Sequence, residues 1–201
     1  MVSKTRDKLM DVARQLFAKK GIENTTMIDI ANASEKGRRT IYTYFKNKSD
    51  IYDALLEHES EQLVMNLRKA VEAGKTPVEQ LRAFIRTRLE VVKSSEHAGS
   101  QSPSGYDRFR SIFNRNLGRI ENIRAMAAEK ENSILRDILD RGVREGTFDV
   151  SQARCFPSTL VIVMQGMYFS FVNDNFKEIG LNIVGLEDKI ERFLLNGLMR
   201  R

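Results

Sequence analysis

Apolar positions recur at helical spacing along nearly the whole chain, and that periodicity predicts an all-α fold. Leu9, Val12, Ala13, Leu16 and Phe17 form one stripe of a first helix, expected to run from Thr5 as N-cap to Lys20, with Gly21 as its stop. Thr26 followed by Asp29 is a variant capping box opening a second, short helix that offers Ile28, Ile30 and Ala31 for packing. After the turn Ser34-Glu35-Lys36-Gly37, Ile41, Tyr44 and Phe45 fall on one face of a third helix, with Gly37 as a weak N-cap. Asn47 with Asp50 caps a long fourth helix, through Ile51, Leu55, Leu63 and Leu67 to near Gly74. Thr76-Pro77-x-Glu79 then gives N-cap, first-turn proline and N3 acid in order, and Leu81, Phe84, Ile85, Leu89 and Val92 follow.

The second half is patterned less sharply. Glu96 to Gly105 reads as a polar loop, and Tyr106–Leu117 and Asn122–Val143 as two separate helices, the latter stopped by the turn Arg144 to Phe148. A helix starting near Ser151 contains an uncharged run from Cys155 to Asn173. A last helix is striped by Leu186, Ile190, Phe193, Leu194 and Leu198. The uncharged run approaches the length that spans a bilayer, but Pro157, Ser158, Thr159, Gln165, Gly166, Ser170 and Asn173 interrupt it, and four of these, Thr159, Gly166, Ser170 and Asn173, form one helical stripe. A buried core or interface helix is therefore expected, and no membrane span. In all, the pattern predicts about nine helices.

Charge adds a functional asymmetry. The net charge of the 201 residues is +6, and residues 1–50 hold 11 Lys/Arg against 6 Asp/Glu, leaving 22 against 21 for the remainder. The segment Lys36 to Lys48, KGRRTIYTYFKNK, has five Lys/Arg, two Tyr and no acid. Arg38 and Arg39 fall in the first turn of the third helix, where the helix dipole disfavours cations. A phosphate backbone or guanine edges would favour them there, since guanidinium forks fit both. A solvated basic face is the bland alternative. One cysteine excludes an intramolecular disulfide framework, and closely spaced charges at the N-terminus replace the apolar run of a signal peptide, so a cytoplasmic protein is expected.

A long amphipathic helix, two short helices joined by a tight turn, and a basic aromatic second member make a three-helix helix-turn-helix unit. Residues 5–55 resemble the DNA-binding domain of the TetR family of bacterial transcriptional regulators. The match lies in LFAKKG closing the first helix, Thr25-Thr26, the IANA of Ile30–Ala33, and above all TIYTYFKNKSDIY from Thr40 to Tyr52. The family's turn usually reads A-G-V-S-x-G before the threonine. Here it reads Ser34, Glu35, Lys36, Gly37, Arg38, Arg39, with spacing kept and the glycine displaced.

The resemblance implies a helix-turn-helix domain over residues 1–48 and a larger helical ligand-sensing and dimerisation domain over 49–201, the seam lying in the fourth helix. It implies a homodimer, a double-stranded DNA operator, a small apolar effector, and no cofactor. Carried over by position, Thr26 touches phosphate, Arg38, Arg39, Thr40 and Thr43 face bases or backbone, Tyr42 and Tyr44 contact backbone, and Lys48 opens the fourth helix at a contact position. Lys36 joins them as part of the basic segment.

In the second domain, Phe84, Phe109, Phe113, Met126, Met164, Met167, Tyr168 and Phe171 either line an apolar pocket or form plain core. No phosphate loop, HExxH or GxSxG motif is present; His58 with Glu57 and Glu61 lacks a second histidine or cysteine, and Cys155 reads as a small core residue. No enzyme is expected. The expected function is a ligand-relieved repressor, and the rival is a DNA-bound interaction protein that senses no small molecule.

Overall fold

The computed structural model describes residues 2–94, 105–149, 151, 156–172 and 186–199. Within them the regular elements are eight helices: α1 (Val2–Lys20), α2 (Met27–Ala33), α3 (Arg38–Tyr44), α4 (Lys48–Glu72), α5 (Pro77–Ser94), α6 (Gly105–Arg144), α7 (Phe156–Val172) and α8 (Leu186–Leu198). The chain divides into two compact units, Met1–Ser60 with Ala98–Ile123, and Glu61–His97 with Arg124–Arg201.

Local signals set most of the boundaries. Gly21 takes φ 80°, and its amide donates to the Phe17 carbonyl at 2.9 Å, ending α1 as glycine can and other residues rarely do. Thr26 and Asp29 form a reciprocal capping box, Asp29 N to Thr26 Oγ1 at 3.1 Å and Thr26 N to Asp29 Oδ2 at 2.8 Å. Asn47 Oδ1 accepts from Asp50 N at 3.0 Å to start α4, and Thr76 Oγ1 accepts from Glu79 N at 3.2 Å to start α5.

Three expectations need correction. Helix α1 begins at Val2, so Thr5 lies inside it and does not cap it. A threonine there costs only a few tenths of a kcal/mol, too little to break a run with no proline or glycine. Ile28 is 45% exposed, since two turns of helix bury only the side carrying Ile30 and Ala31. Tyr106–Leu117 and Asn122–Val143 are one helix of 40 residues. Gly118 between them costs about 1 kcal/mol in a helix interior, and Arg119, Ile120 and Glu121 carry the helix past it. The expected polar loop lies outside the described residues except for Gly105, which opens α6.

In the first unit, Leu9, Met10 and Ala13 of α1, Ile30 and Ala31 of α2, Ile41 of α3, Phe45, and Ile51, Ala54 and Leu55 of α4 make one buried cluster. Full burial of a side chain such as Ile41 is worth about 1.5–3 kcal/mol, which is how a seven-residue helix that would not persist alone is held. The second unit is built on Leu81, Phe84, Ile85 and Leu89 of α5, which packs against α7 and α8, together with Ile134, Leu135, Ile138 and Leu139 of α6.

The end of α6 shows why one glycine is required. The amides of Thr147 and Phe148 both donate to the Gly142 carbonyl, at 2.8 and 3.1 Å, folding Phe148 back onto the helix and into the core. A Cβ on residue 142 would stand 2.1 Å from the Phe148 ring. Asp149 N then donates to the Leu198 carbonyl at 2.9 Å, tying this turn to the end of α8.

Candidate nucleic-acid interface and sensor core

The turn between α2 and α3 keeps its shape without glycine where the family pattern places one. Glu35 adopts φ 57° there, while Glu35 N and Lys36 N donate to the carbonyls of Asn32 (3.0 Å) and Ala31 (2.9 Å). Lys8 Nζ reaches the Glu35 carboxylate at 3.0 Å, and this contact holds that carboxyl below the usual glutamate range. Gly37, in turn, is an N-cap in extended conformation at φ −66°, giving no side-chain cap, and its Cβ position has open space apart from Thr40 Oγ1 at 3.9 Å.

Glycine would suit position 35 better, and serine position 37. The left-handed region is costly for a residue with a Cβ, and serine caps a helix better than glycine by a few tenths of a kcal/mol. Substituting Glu35→Gly together with Gly37→Ser is expected to raise the melting temperature by about 2–6 °C. Differential scanning calorimetry showing no rise would mean that the Lys8 contact outweighs the backbone strain.

Helix α3 presents two faces. Ile41 is fully buried and Phe45 nearly so, while Tyr44 is half-buried against the same cluster. Arg38, Arg39, Tyr42 and Thr43 are exposed, and Lys36 and Thr40 half-buried. Among the described residues neither Arg38 nor Arg39 has an ion-pair partner, and the first turn of α3 contains no acid. The Thr43 hydroxyl donates to the Arg39 carbonyl at 3.1 Å, which leaves its oxygen as an outward acceptor. Arg6 lies over the Phe45 ring, 5.4 Å from its centre, adding a cation next to the end of α3.

Thr26 is exposed at the start of α2. The Asp29 carboxyl that completes its cap is held down to about 2, first by the hydrogen bond from Lys20 Nζ at 2.7 Å and then by the Thr26 backbone and hydroxyl. The cap is thus intact at any pH above the acid range.

Lys48 is placed differently from the others. Its ammonium is turned inward to backbone carbonyls of the α1–α2 connector, Ile22 O at 2.8 Å, Glu23 O at 3.0 Å and Thr25 O at 3.3 Å.

In the second unit, Phe84 and Met164 are fully buried in one cluster and Met167 packs on it partly buried, whereas Met126 is 64% exposed on α6. The side chains of Phe109, Phe113, Tyr168 and Phe171 lie outside the described residues, as do Cys155 and His97. An open groove of about 580 Å³ lies elsewhere on this unit, lined by Glu61, Val64, Met65, Arg68, Lys69 and Glu72 of α4 and by Lys130, with none of the expected pocket residues.

Sequence reasoning passed over a buried ion pair. Arg88 Nε donates to Glu131 Oε2 at 2.9 Å between α5 and α6, with side chains only 6% and 2% exposed. The signal was present, because Arg88 stands three residues after Ile85 and one before Leu89, on the apolar stripe itself.

Glu57, His58 and Glu61 are all exposed on α4, and among the described residues no three His, Cys, Asp or Glu side chains gather as a metal site. No helix among them is long and apolar enough to cross a membrane.

Comparison with known proteins agrees with this geometry. Residues 9–55 match the family model for bacterial regulatory proteins of the tetR family. The transcriptional repressor KstR2 of Mycobacterium tuberculosis is 25% identical over 154 residues, covering 73% of this chain and 70% of its own. Among solved structures, the fatty acid degradation regulator FadR of Bacillus halodurans superposes with a TM-score of 0.69 at 19% identity, covering 98% of this chain and 97% of that one. FadR of Bacillus subtilis, solved in complex with stearoyl-CoA, gives 0.69 at 17% identity over 94% and 97%. At such identities the two structures speak for the fold, and the sequence matches supply the kinship. A helix-turn-helix unit with a cationic, outward α3 face, lying in the segment that matches the tetR family model, marks this chain as a TetR-like DNA-binding regulator.

Proposed function

We propose that this regulator is a repressor that holds a palindromic operator as a homodimer and releases it when a small apolar effector occupies its second domain, residues 49–201. Residues 1–48 form the reading head, with Arg38, Arg39, Thr40 and Thr43 toward the bases and Thr26, Lys36, Tyr42 and the Tyr44 hydroxyl toward phosphates. The observation that carries this reading is the split α3 surface: Ile41 and Phe45 lock one side into the core, and the opposite side offers arginines with no ion-pair partner among the described residues.

Two further features support it. Helices α7 and α8 leave Ile162 (68%), Val163 (48%) and Phe193 (78%) exposed, large apolar side chains that a second copy would cover. Gly166 and Gly197 on the same helices have nothing within 4 Å of where a Cβ would stand, so a partner backbone has room to approach. The apolar effector draws on the Phe84 and Met164 core and on the apolar stearoyl chain of the stearoyl-CoA bound by the structural neighbour from Bacillus subtilis. Effector and operator are then linked by one coupling free energy: whatever the ligand costs DNA binding, DNA costs ligand binding equally.

The test is a salt titration of DNA binding, on a duplex selected from a random pool and on an unselected one. Two reading heads neutralising several phosphates predict a slope of log affinity against log salt of roughly −4 to −8 on both. A flat dependence on either duplex rejects the proposed interface. A long-chain acyl group, presented as stearoyl-CoA, is the first apolar moiety to test, and release of the selected duplex is the expected result.

A further inference from the structure

We infer that Lys48 is a positioning residue of the DNA-binding unit: it clamps the α1–α2 connector, and through it Thr26 and the start of α2, without itself neutralising a phosphate. The inference rests on the reading that this unit binds DNA with Thr26 at the backbone.

An ammonium group has three N–H donors, and here three carbonyls stand around one nitrogen, those of Ile22, Glu23 and Thr25. All three acceptors belong to the connector between Gly21, where α1 ends with φ 80°, and Thr26, the N-cap of α2. A connector of this kind has no helix or sheet ladder to satisfy its carbonyls, and the lysine supplies what secondary structure does not.

The same loop is pinned once more from inside. Thr25 is fully buried and its hydroxyl donates to the Gly21 carbonyl at 2.7 Å, while Thr25 N donates to the Ile22 carbonyl at 3.3 Å. Thr26, the next residue, is left exposed with its backbone direction determined on both sides. Lys48 is also the first residue of α4, where the helix dipole opposes a cation. Three carbonyl oxygens at hydrogen-bond distance offset that opposition, and the half-buried side chain is consistent with an inward use. Lys46, two residues earlier, is exposed.

A phosphate anchor and a clamp differ in what salt does. Losing a phosphate contact lowers both the affinity and the salt slope, by about 0.9 for each phosphate released from contact, hence about 1.8 for a dimer. Losing a clamp lowers affinity and leaves the slope alone. Lys48→Met keeps the aliphatic stem and removes the ammonium, and it is compared with wild type at a temperature where circular dichroism shows both folded.

The expected result is an affinity loss of about tenfold, the order of one weakened hydrogen bond to a charged group, with an unchanged slope. A slope shallower by about 1.8 would overturn the inference. Should Lys48→Met not fold, wild type decides alone. In a ¹H–¹⁵N spectrum, a slowly exchanging Lys48 NH₃⁺ signal with couplings through hydrogen bonds to the carbonyl carbons of Ile22, Glu23 and Thr25 is expected both free and on DNA. Loss of those couplings on DNA overturns the inference. A wild-type protein that bound no duplex would instead sink the DNA-binding reading while the couplings in the free protein persisted, so the two failures are distinguishable.

Discussion

Substituting Glu131→Leu is expected to lower the melting temperature by roughly 6–20 °C, the consequence of leaving a buried guanidinium without its partner at a cost of about 3–5 kcal/mol. Arg88 and Glu131 meet at 2.9 Å with almost no solvent, in the second unit beside Ile85, Leu89, Ile134 and Leu135. Burial pushes the Glu131 carboxyl above the ordinary glutamate value, and Arg88 opposes that shift without cancelling it. A carboxyl raised in this way binds its proton more readily in the folded than in the unfolded state. Its favourable contribution is present below the unfolded value and is lost as pH rises through the higher folded value.

The damage from the single variant comes from orphaning the buried Arg88. The double variant Arg88→Met with Glu131→Leu follows directly. It should recover most of the loss, since well-packed apolar side chains replace buried ion pairs at little cost or with gain. Urea denaturation of wild type, single and double variants decides the matter. A single variant within about 1 kcal/mol of wild type would mean that water reaches Arg88 once Glu131 is gone.

What could be read from sequence depended on how far each interaction reaches along the chain. The capping boxes at Thr26/Asp29 and Thr76/Glu79 span three residues, so the residues that start α2 and α5 declare themselves, and the Gly21 stop is as local. The buried face of α3 was legible for the same reason: Ile41 and Phe45 lie one turn apart.

Where several residues compete, pattern alone misleads. Ile28 looks as apolar as Ile30, yet a two-turn helix has one buried side and only tertiary packing selects it. The chain between Leu117 and Asn122 reads as a break and contains Gly118, but a lone glycine ends no helix unless it takes a left-handed cap or a proline intervenes. The left-handed Glu35 follows from the family's turn spacing only if the displaced glycine is taken as a substitution within an unchanged turn. The Lys48 clamp joins residues 23 to 26 positions apart, and no periodicity reaches that far.

Selecting preferred duplexes with wild type, Arg38→Ala and Arg39→Ala should show relaxed preference at one base pair per half-site for at least one variant. Both arginines begin α3, the end of a recognition helix that enters the major groove, and both are exposed and without an ion-pair partner among the described residues. A cation in the first turn of a helix is opposed by the dipole by a few tenths of a kcal/mol or more. No acid in that turn relieves it, and on the proposed reading the bound DNA does. A guanidinium fork on the O6 and N7 of guanine is worth about 1–3 kcal/mol of discrimination, or about 5- to 150-fold per base pair. Phosphate contact would compensate the dipole equally well but carries no sequence information. The two roles leave different marks. If each arginine reads a base, its alanine variant loses the consensus at one position and keeps the rest, and the salt slope changes little. If both grip phosphate, affinity falls alike on selected and unselected DNA, the slope drops by about 0.9 per contact, and the consensus stays whole, which would leave specificity to Thr40 and Thr43.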